Sequence, residues 1–259
     1  MATPQWQAYQ TSIINAGIDL KRSVIGSNIG TYVVNATTTF RAGMLVELNT
    51  SQEIIVSTGA APFGFAKYDK TTALYETVVD EYIQLTGVVA TSLANAILLD
   101  PTGSGGGVRV SSAVVGGGTT YTEGAGSDYT VNYTNGTVVR TAGSTIPSGG
   151  YVYVTYMYQV PLSTLQFEGK NFFNSLDYTE YNDSRMTVIN NWSTIFTTAY
   201  DPSKIYAVNS VVEAGATAQG LDGYVTLTGT GAGPDIGTVF QVPTASDPYM
   251  GIRYRGGLT

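Results

Sequence analysis

Residues 127–158 read SDYTVNYTNGTVVRTAGSTIPSGGYVYVTYMY, and this stretch decides the fold class. Asn135-Gly136 lies between two runs rich in β-branched and aromatic residues, Tyr129–Thr134 and Thr137–Arg140. That dipeptide in that setting is the strongest short-range signal of a β-hairpin. Tyr151–Tyr158 then alternates: Val152, Val154, Tyr156 and Tyr158 share one face, and Tyr151, Tyr153, Thr155 and Met157 the other. Such a period of two is a strand, and Pro161 ends it. Upstream, Gly-rich runs at 103–107 and 116–118 bracket a further strand, Val108–Val115. Segment 100–160 therefore reads as a compact β-sandwich of its own, small enough to be an insertion.

On either side, short apolar runs recur with turn signals between them. Before it come Tyr32–Val34, Thr37–Phe40, Arg41–Leu48, Glu53–Val56, Phe63–Tyr68, Glu76–Val79 and Glu81–Val89; after it come Arg185–Ile189, Ser193–Thr198, Ile205–Glu213, Gly223–Thr228, Ile236–Val242 and Met250–Tyr254. This spacing is the mark of a sandwich or small barrel. One phrase recurs: Arg41-Ala-Gly-Met-Leu-Val-Glu47 is echoed by Ala207-Val-Asn-Ser-Val-Val-Glu213. Each is followed by an apolar strand, a turn with proline (Pro62, Pro234) and a glycine among apolar residues (Phe63-Gly64-Phe65, Ile236-Gly237-Thr238). The expectation is an all-β chain: a discontinuous small β-barrel or sandwich with halves at 31–99 and 161–259, interrupted by a separate β-sandwich at 100–160 and preceded by an extended N-terminal arm, 1–30.

Composition narrows the chemistry. The chain contains no cysteine and no histidine, so disulfides, thiolate nucleophiles, Cys/His zinc sites and imidazole acid–base catalysis have no residues to use. A net charge of −7 opposes wrapping nucleic acid, which takes a surplus of Lys and Arg. The longest apolar runs fall far short of the ~20 residues that span a bilayer. Residues 1–10 show neither a basic nor an apolar signal region, so synthesis in a cytoplasm is expected. The glycine runs lack the Gly-Lys-Ser/Thr ending of a phosphate loop. Asp177, Glu180 and Asp183 do not match a calcium loop and read as solvated, and Asp80-Glu81 assigns no catalytic pair. The expectation is no enzyme, no cofactor and no metal.

Two groups look like interaction surfaces. Trp6, Tyr9, Ile13 and Ile14 would anchor the arm onto a neighbour. Tyrosine, at 19 residues, is concentrated in the sandwich. Tyr129, Tyr133, Tyr151 and Tyr153 offer large amphipathic area at low entropic cost, either as ordinary cross-strand packing or as a surface that docks on protein or glycan.

Residues 119–158 resemble an Ig-like module common in structural proteins of tailed phages, through the hairpin SDYTVNYTNGTVVR and the strand after Ile146. Ala42-Gly-Met-Leu-Val-Glu47 and Ala60-Ala-Pro-Phe-Gly-Phe-Ala-Lys67 are similar to phage capsid decoration (cement) proteins, small β-barrels that sit on the capsid lattice, usually as trimers. The resemblance implies a virion protein on the outer capsid surface that stabilises the shell, with the major capsid protein as partner and a homotrimer or other homo-oligomer as its form. Decoration proteins of this kind are often smaller and carry no inserted sandwich. A tail or baseplate part remains open, because tail proteins carry the same modules. A carbohydrate-binding sandwich, making a glycan contact through the Ig-like module, is the third reading.

Overall fold

The computed structural model describes residues 29–35, 37–67, 75–100, 107–114, 117–159, 185–229 and 233–256. The arm anchors Trp6, Tyr9, Ile13 and Ile14, and the acidic group Asp177, Glu180 and Asp183, lie outside them. The described chain is all-β, with one short 3-10 turn at Thr217–Gln219. In chain order the strands are β1 (Ile29–Val33), β2 (Leu45–Leu48), β3 (Ile54–Val56), β4 (Gly64–Ala66), β5 (Tyr75–Leu85), β6 (Ala90–Ser92), β7 (Arg109–Ser111), β8 (Thr120–Tyr121) and β9 (Tyr129–Asn132). They continue with β10 (Thr137–Arg140), β11 (Gly150–Gln159), β12 (Arg185–Ile189), β13 (Ser193–Thr197), β14 (Val211–Ala214), β15 (Val225–Leu227), β16 (Asp235–Gln241) and β17 (Met250–Tyr254).

The sandwich sets the sheet β5-β11-β7-β8 against the sheet β6-β10-β9. Val152, Val154 and Tyr156 of β11 enter its core with Ile83, Leu85, Val110 and Val138, as the alternation of 151–158 requires. The β9–β10 hairpin turns through residues 133–136 rather than the dipeptide alone, since Thr137 pairs with Asn132. Gly136 has φ 61, and a Cβ there would meet the Asn95 carbonyl oxygen at 2.0 Å, so only glycine fits. The sandwich also begins earlier than residue 100. β5 pairs with β11 from Leu85–Gly150 to Tyr75–Gln159, and β6 pairs with β10. The change of texture after residue 100 therefore does not mark the border of the sandwich.

The remaining strands form two five-stranded antiparallel sheets, ordered β1-β12-β4-β2-β3 and β13-β17-β16-β14-β15. These are one topology written twice, with β1, β2, β3, β4 and β12 matching β13, β14, β15, β16 and β17. Register agrees residue by residue: Val46 lies opposite Gly64 and Val56, as Val212 lies opposite Gly237 and Leu227. Small details recur as well. Gly43 (φ 81) and Asn209 (φ 70) take the same left-handed conformation. Their N–H groups donate to Ala66 O at 2.8 Å and Val239 O at 2.7 Å. The buried carboxylates of Glu47 and Glu213 accept from Thr58 N at 3.1 Å and Gly229 N at 3.2 Å. Asn35 Oδ1 accepts from Thr37 N at 3.1 Å, and Asp201 Oδ1 from Ser203 N at 2.9 Å.

The echo between 41–47 and 207–213 is therefore an internal duplication: the all-β fold expected is present, and of the barrel or sandwich expected from the two halves it is the closed barrel that is absent. Each copy builds its own sheet, but the cores interlock: Leu45, Phe65 and Ile189 of the first copy pack into the cluster of the second, and Ala199, Leu221 and Tyr224 of the second into that of the first. Phe40, Val46, Ile54, Ala66 and Val188 occupy one cluster, and their counterparts Tyr206, Val212, Val225, Val239 and Ile252 the other. Neither sheet closes into a barrel. The edge strands of each approach at a single parallel bridge, Val34–Ile54 and Tyr200–Val225. The next residue, Asn35 or Asp201, folds its side chain onto the backbone two residues ahead, and this Asx turn bends the chain away before a ladder can form. The copies differ most between their fourth and fifth strands: residues 242–249 make that connection in the second, whereas the first carries the whole sandwich there.

The duplication predicts what exposed Asn209 tolerates. Asn209→Gly, which gives the second copy the residue of the first, is expected to leave stability unchanged to within about 0.5 kcal/mol. Asn209→Val, forcing a β-branched side chain into the left-handed region, should cost about 1–2 kcal/mol in urea unfolding.

Candidate binding surface

The outward face of the sheet β5-β11-β7-β8 divides into two halves. Its lower half is sealed against the doubled body. Val154 pairs with Glu81 and Tyr156 with Val78, so Val79 and Asp80 together oppose Thr155. This is a β-bulge, and Asp80 sits at φ 56. The bulge aims its carboxylate at Arg109, 3.3 Å away, with both side chains buried. Arg109 also donates to Thr155 Oγ1 at 2.9 Å and, across the seam, to Lys204 O at 2.7 Å. A second buried guanidinium comes from the body. Arg41 donates to Tyr75 O of β5 at 2.6 Å and to Thr198 O at 3.0 Å, and lies 5.6 Å from the centre of the Tyr224 ring. Met157, also on this face of β11, packs into the core of the first sheet copy.

The upper half of the same face is open at Tyr82, Gln84, Tyr151 and Thr120, while Ser111 within it is buried. Register sets Tyr82, Tyr153, Ser111 and Thr120 in one row across four strands, with Gln84 and Tyr151 in the next. Tyr82 and Tyr151 are 57% and 54% exposed. Their rings stack with centroids 4.9 Å apart and planes at 11°, while Tyr153 tilts against the other side of Tyr82 at 5.0 Å and 40°. Gln84 Nε2 donates to Gly149 O at 2.9 Å, which fixes the amide beside Tyr151. Neither row contains a charged residue. Charged side chains elsewhere on the sandwich serve its own fold: Glu81 accepts from Ala94 N and Tyr156 Oη, Asp128 from the backbone of Thr122 and Thr145, and Arg140 donates to the Ile146, Thr141 and Ser144 carbonyls.

The four tyrosines singled out from sequence thus part company. Tyr151 and Tyr153 belong to the open face. Tyr129 is 2% exposed and donates to Val108 O at 2.7 Å inside the sandwich core. Tyr133 is half-buried, donating to Glu123 and accepting from Gly107 N. Tyr82, the centre of the stack, was not singled out. Its clue is the alternation Tyr82-Ile83-Gln84-Leu85, which sets a tyrosine and an amide on one face and two core residues on the other. A second exposed aromatic is Trp192, 72% exposed on the linker between the two sheet copies. Its turn is fixed by Asn191, whose Oδ1 accepts from Trp192 N and whose carbonyl accepts from Ser193 Oγ, both at 2.8 Å.

Among the described residues no cluster of acidic side chains has the geometry of a metal site. No protein-family model, no curated protein and no solved structure matches the chain.

The buried phenols set an alkaline limit. Burial pushes the pKa values of Tyr129, Tyr133 and Tyr200 well above the ordinary range, with the Glu123 carboxylate adding to the first two; Tyr156 and Tyr254 are raised by burial too. Protons are then held more tightly folded than unfolded. Their contribution to stability is full below about pH 10 and is lost as pH rises from there towards the raised folded values. In an alkaline titration, phenolate absorbance from these groups should appear together with loss of the β-sheet circular dichroism. Ionisation of all tyrosines with the sheet signal intact would contradict their burial.

Proposed function

We propose that the chain is a structural protein of a phage virion that binds the outer capsid surface and stabilises the shell. The observation that carries this reading is Trp192, a large apolar side chain held out to solvent on a hydrogen-bonded turn at the centre of a doubled β body. Tryptophan is the residue type most enriched where a few side chains carry an interface, and the hydrogen-bonded turn fixes the backbone that presents it. The likeness of segments 42–47, 60–67 and 119–158 to phage decoration and Ig-like modules supplies the partner, an assembled capsid lattice. In this reading the doubled body docks and the sandwich stands away from it. A protein that binds the assembled shell and not its separated subunits adds its binding free energy to shell stability by mass action, and repeated copies on a lattice gain avidity.

The experiment is quantitative mass spectrometry of purified particles, against the major capsid protein, followed by add-back to shells that lack the chain. The expected result is copy numbers comparable to the capsid subunit, and added protein that raises the temperature at which the shells open. Trp192→Ala should bind shells at least tenfold more weakly while unfolding at the same temperature as the parent. A handful of copies per particle would move the protein to the tail or a vertex, and complete absence from particles would end the virion reading.

A further inference from the structure

We infer that the tyrosine face of the sandwich binds a neutral oligosaccharide. This inference concerns a different lobe from Trp192 and does not depend on attachment to a shell. Three features of the face select the ligand class. The first is ring geometry. Tyr82 is held between Tyr151 and Tyr153, so the stack is rigid, and the outer side of the Tyr151 ring is its free end. Beside that ring lie Gly149 and Gly150. A Cβ on Gly149 would meet only the Gln84 amide, at 3.9 Å, so the approach to this end is open.

The second feature is charge. The two rows hold only phenol, hydroxyl and amide groups, and the nearest ion pair, Asp80 with Arg109, is buried under the body. An anion or a cation gains nothing here. A ligand that combines apolar C–H faces with hydroxyl groups gains from both rings and amide, and a neutral sugar is that ligand.

The third feature is area. Two half-exposed tyrosines and the edge of a third offer roughly 250 Å² of ring surface. Val88 and Val89 of the adjoining β5–β6 turn, 62% and 63% exposed, enlarge this only modestly. A stable protein partner or a second copy of the chain would bury about 800 Å² on each side. The face is too small for that and matches one or two sugar rings. The cross-strand pairing of Tyr82 with Tyr153 preorganises the stack, so little ordering is left to be done on binding.

The test titrates the free, full-length chain with neutral gluco-, galacto- and N-acetylglucosamine hexasaccharides, following tyrosine ring resonances by NMR and heat by calorimetry. At least one sugar should bind, with shifts at Tyr82, Tyr151 and Tyr153. Tyr151→Ala should weaken that binding at least tenfold. Tyr151→Phe should retain most of it, because the ring rather than the hydroxyl makes the contact. Val208→Ser, an exposed change on the body, should leave it unaltered. Sedimentation of the same samples shows whether the face self-associates. Failure of every neutral sugar to bind, equal binding by Tyr151→Ala, preference for acidic sugars, or self-association abolished by Tyr151→Ala would each overturn the inference. None of these results bears on whether the chain is found on particles.

Discussion

The arrangement of the three lobes depends on the buried guanidinium of Arg41. It grows from the first sheet copy, donates to a carbonyl of the sandwich and to one that follows β13 in the second copy, and lies against the Tyr224 ring of that copy. Burying a cation costs several kcal/mol unless its donors are met. Here carbonyl dipoles and a ring face meet it in place of a carboxylate, and charge-assisted hydrogen bonds of this kind contribute about 1.5–3 kcal/mol each. The geometry is specific in a way that apolar packing is not, because the two terminal nitrogens meet their carbonyls only when all three lobes are in place, while the buried Nε has no hydrogen-bond partner among the described residues. The second copy has Ala207 at the corresponding position. The arginine therefore belongs to the copy that carries the sandwich in its β4–β12 connection.

The same seam explains how one strand face serves two purposes. Along β11, Tyr151 and Tyr153 meet solvent, whereas Thr155 and Met157, two and four residues further on the same face, are buried. The bulge at Asp80 marks the change. It inserts one residue into β5 where the sandwich meets the body, turns the carboxylate toward Arg109, and leaves Tyr82 in register with Tyr153 above it. Local strand chemistry makes the aromatic row, and the contact with the body decides how much of it stays uncovered.

Much of this was legible in the sequence, and the failures have physical causes. The hairpin at 129–140, the two faces of 151–158 and the echo of 41–47 in 207–213 were all readable, because each is a local pattern. Closure was not. A barrel and an open sheet share the same strands and turns, and the difference rests on the side chains of Asn35 and Asp201 bending the backbone just past a bridge. The start of the sandwich was missed because β5 finds its partner β11 some seventy residues later, a separation that no local window sees. Tyr82 was passed over for the same reason, since its value lies in Tyr151 and Tyr153 across the strand gap. The split of the tyrosines between core and surface follows the face each occupies, Tyr129 turned into the sandwich and Tyr151 and Tyr153 turned out, and which face of a sheet is covered is not visible in the spacing. The resemblance to phage modules pointed to a setting for the chain but contained nothing about its duplication.

Arg41 locks a doubled body and an inserted sandwich into one rigid piece. Native-state hydrogen exchange on Arg41→Ala, which gives the first copy the residue of the second, tests it most directly. Amides along the seam, at Thr77, Met157 and Ala199, should lose protection together. Those inside the sandwich, at Val131 and Val138, should keep theirs. Unchanged protection at the seam, or an equal loss throughout the chain, would contradict it.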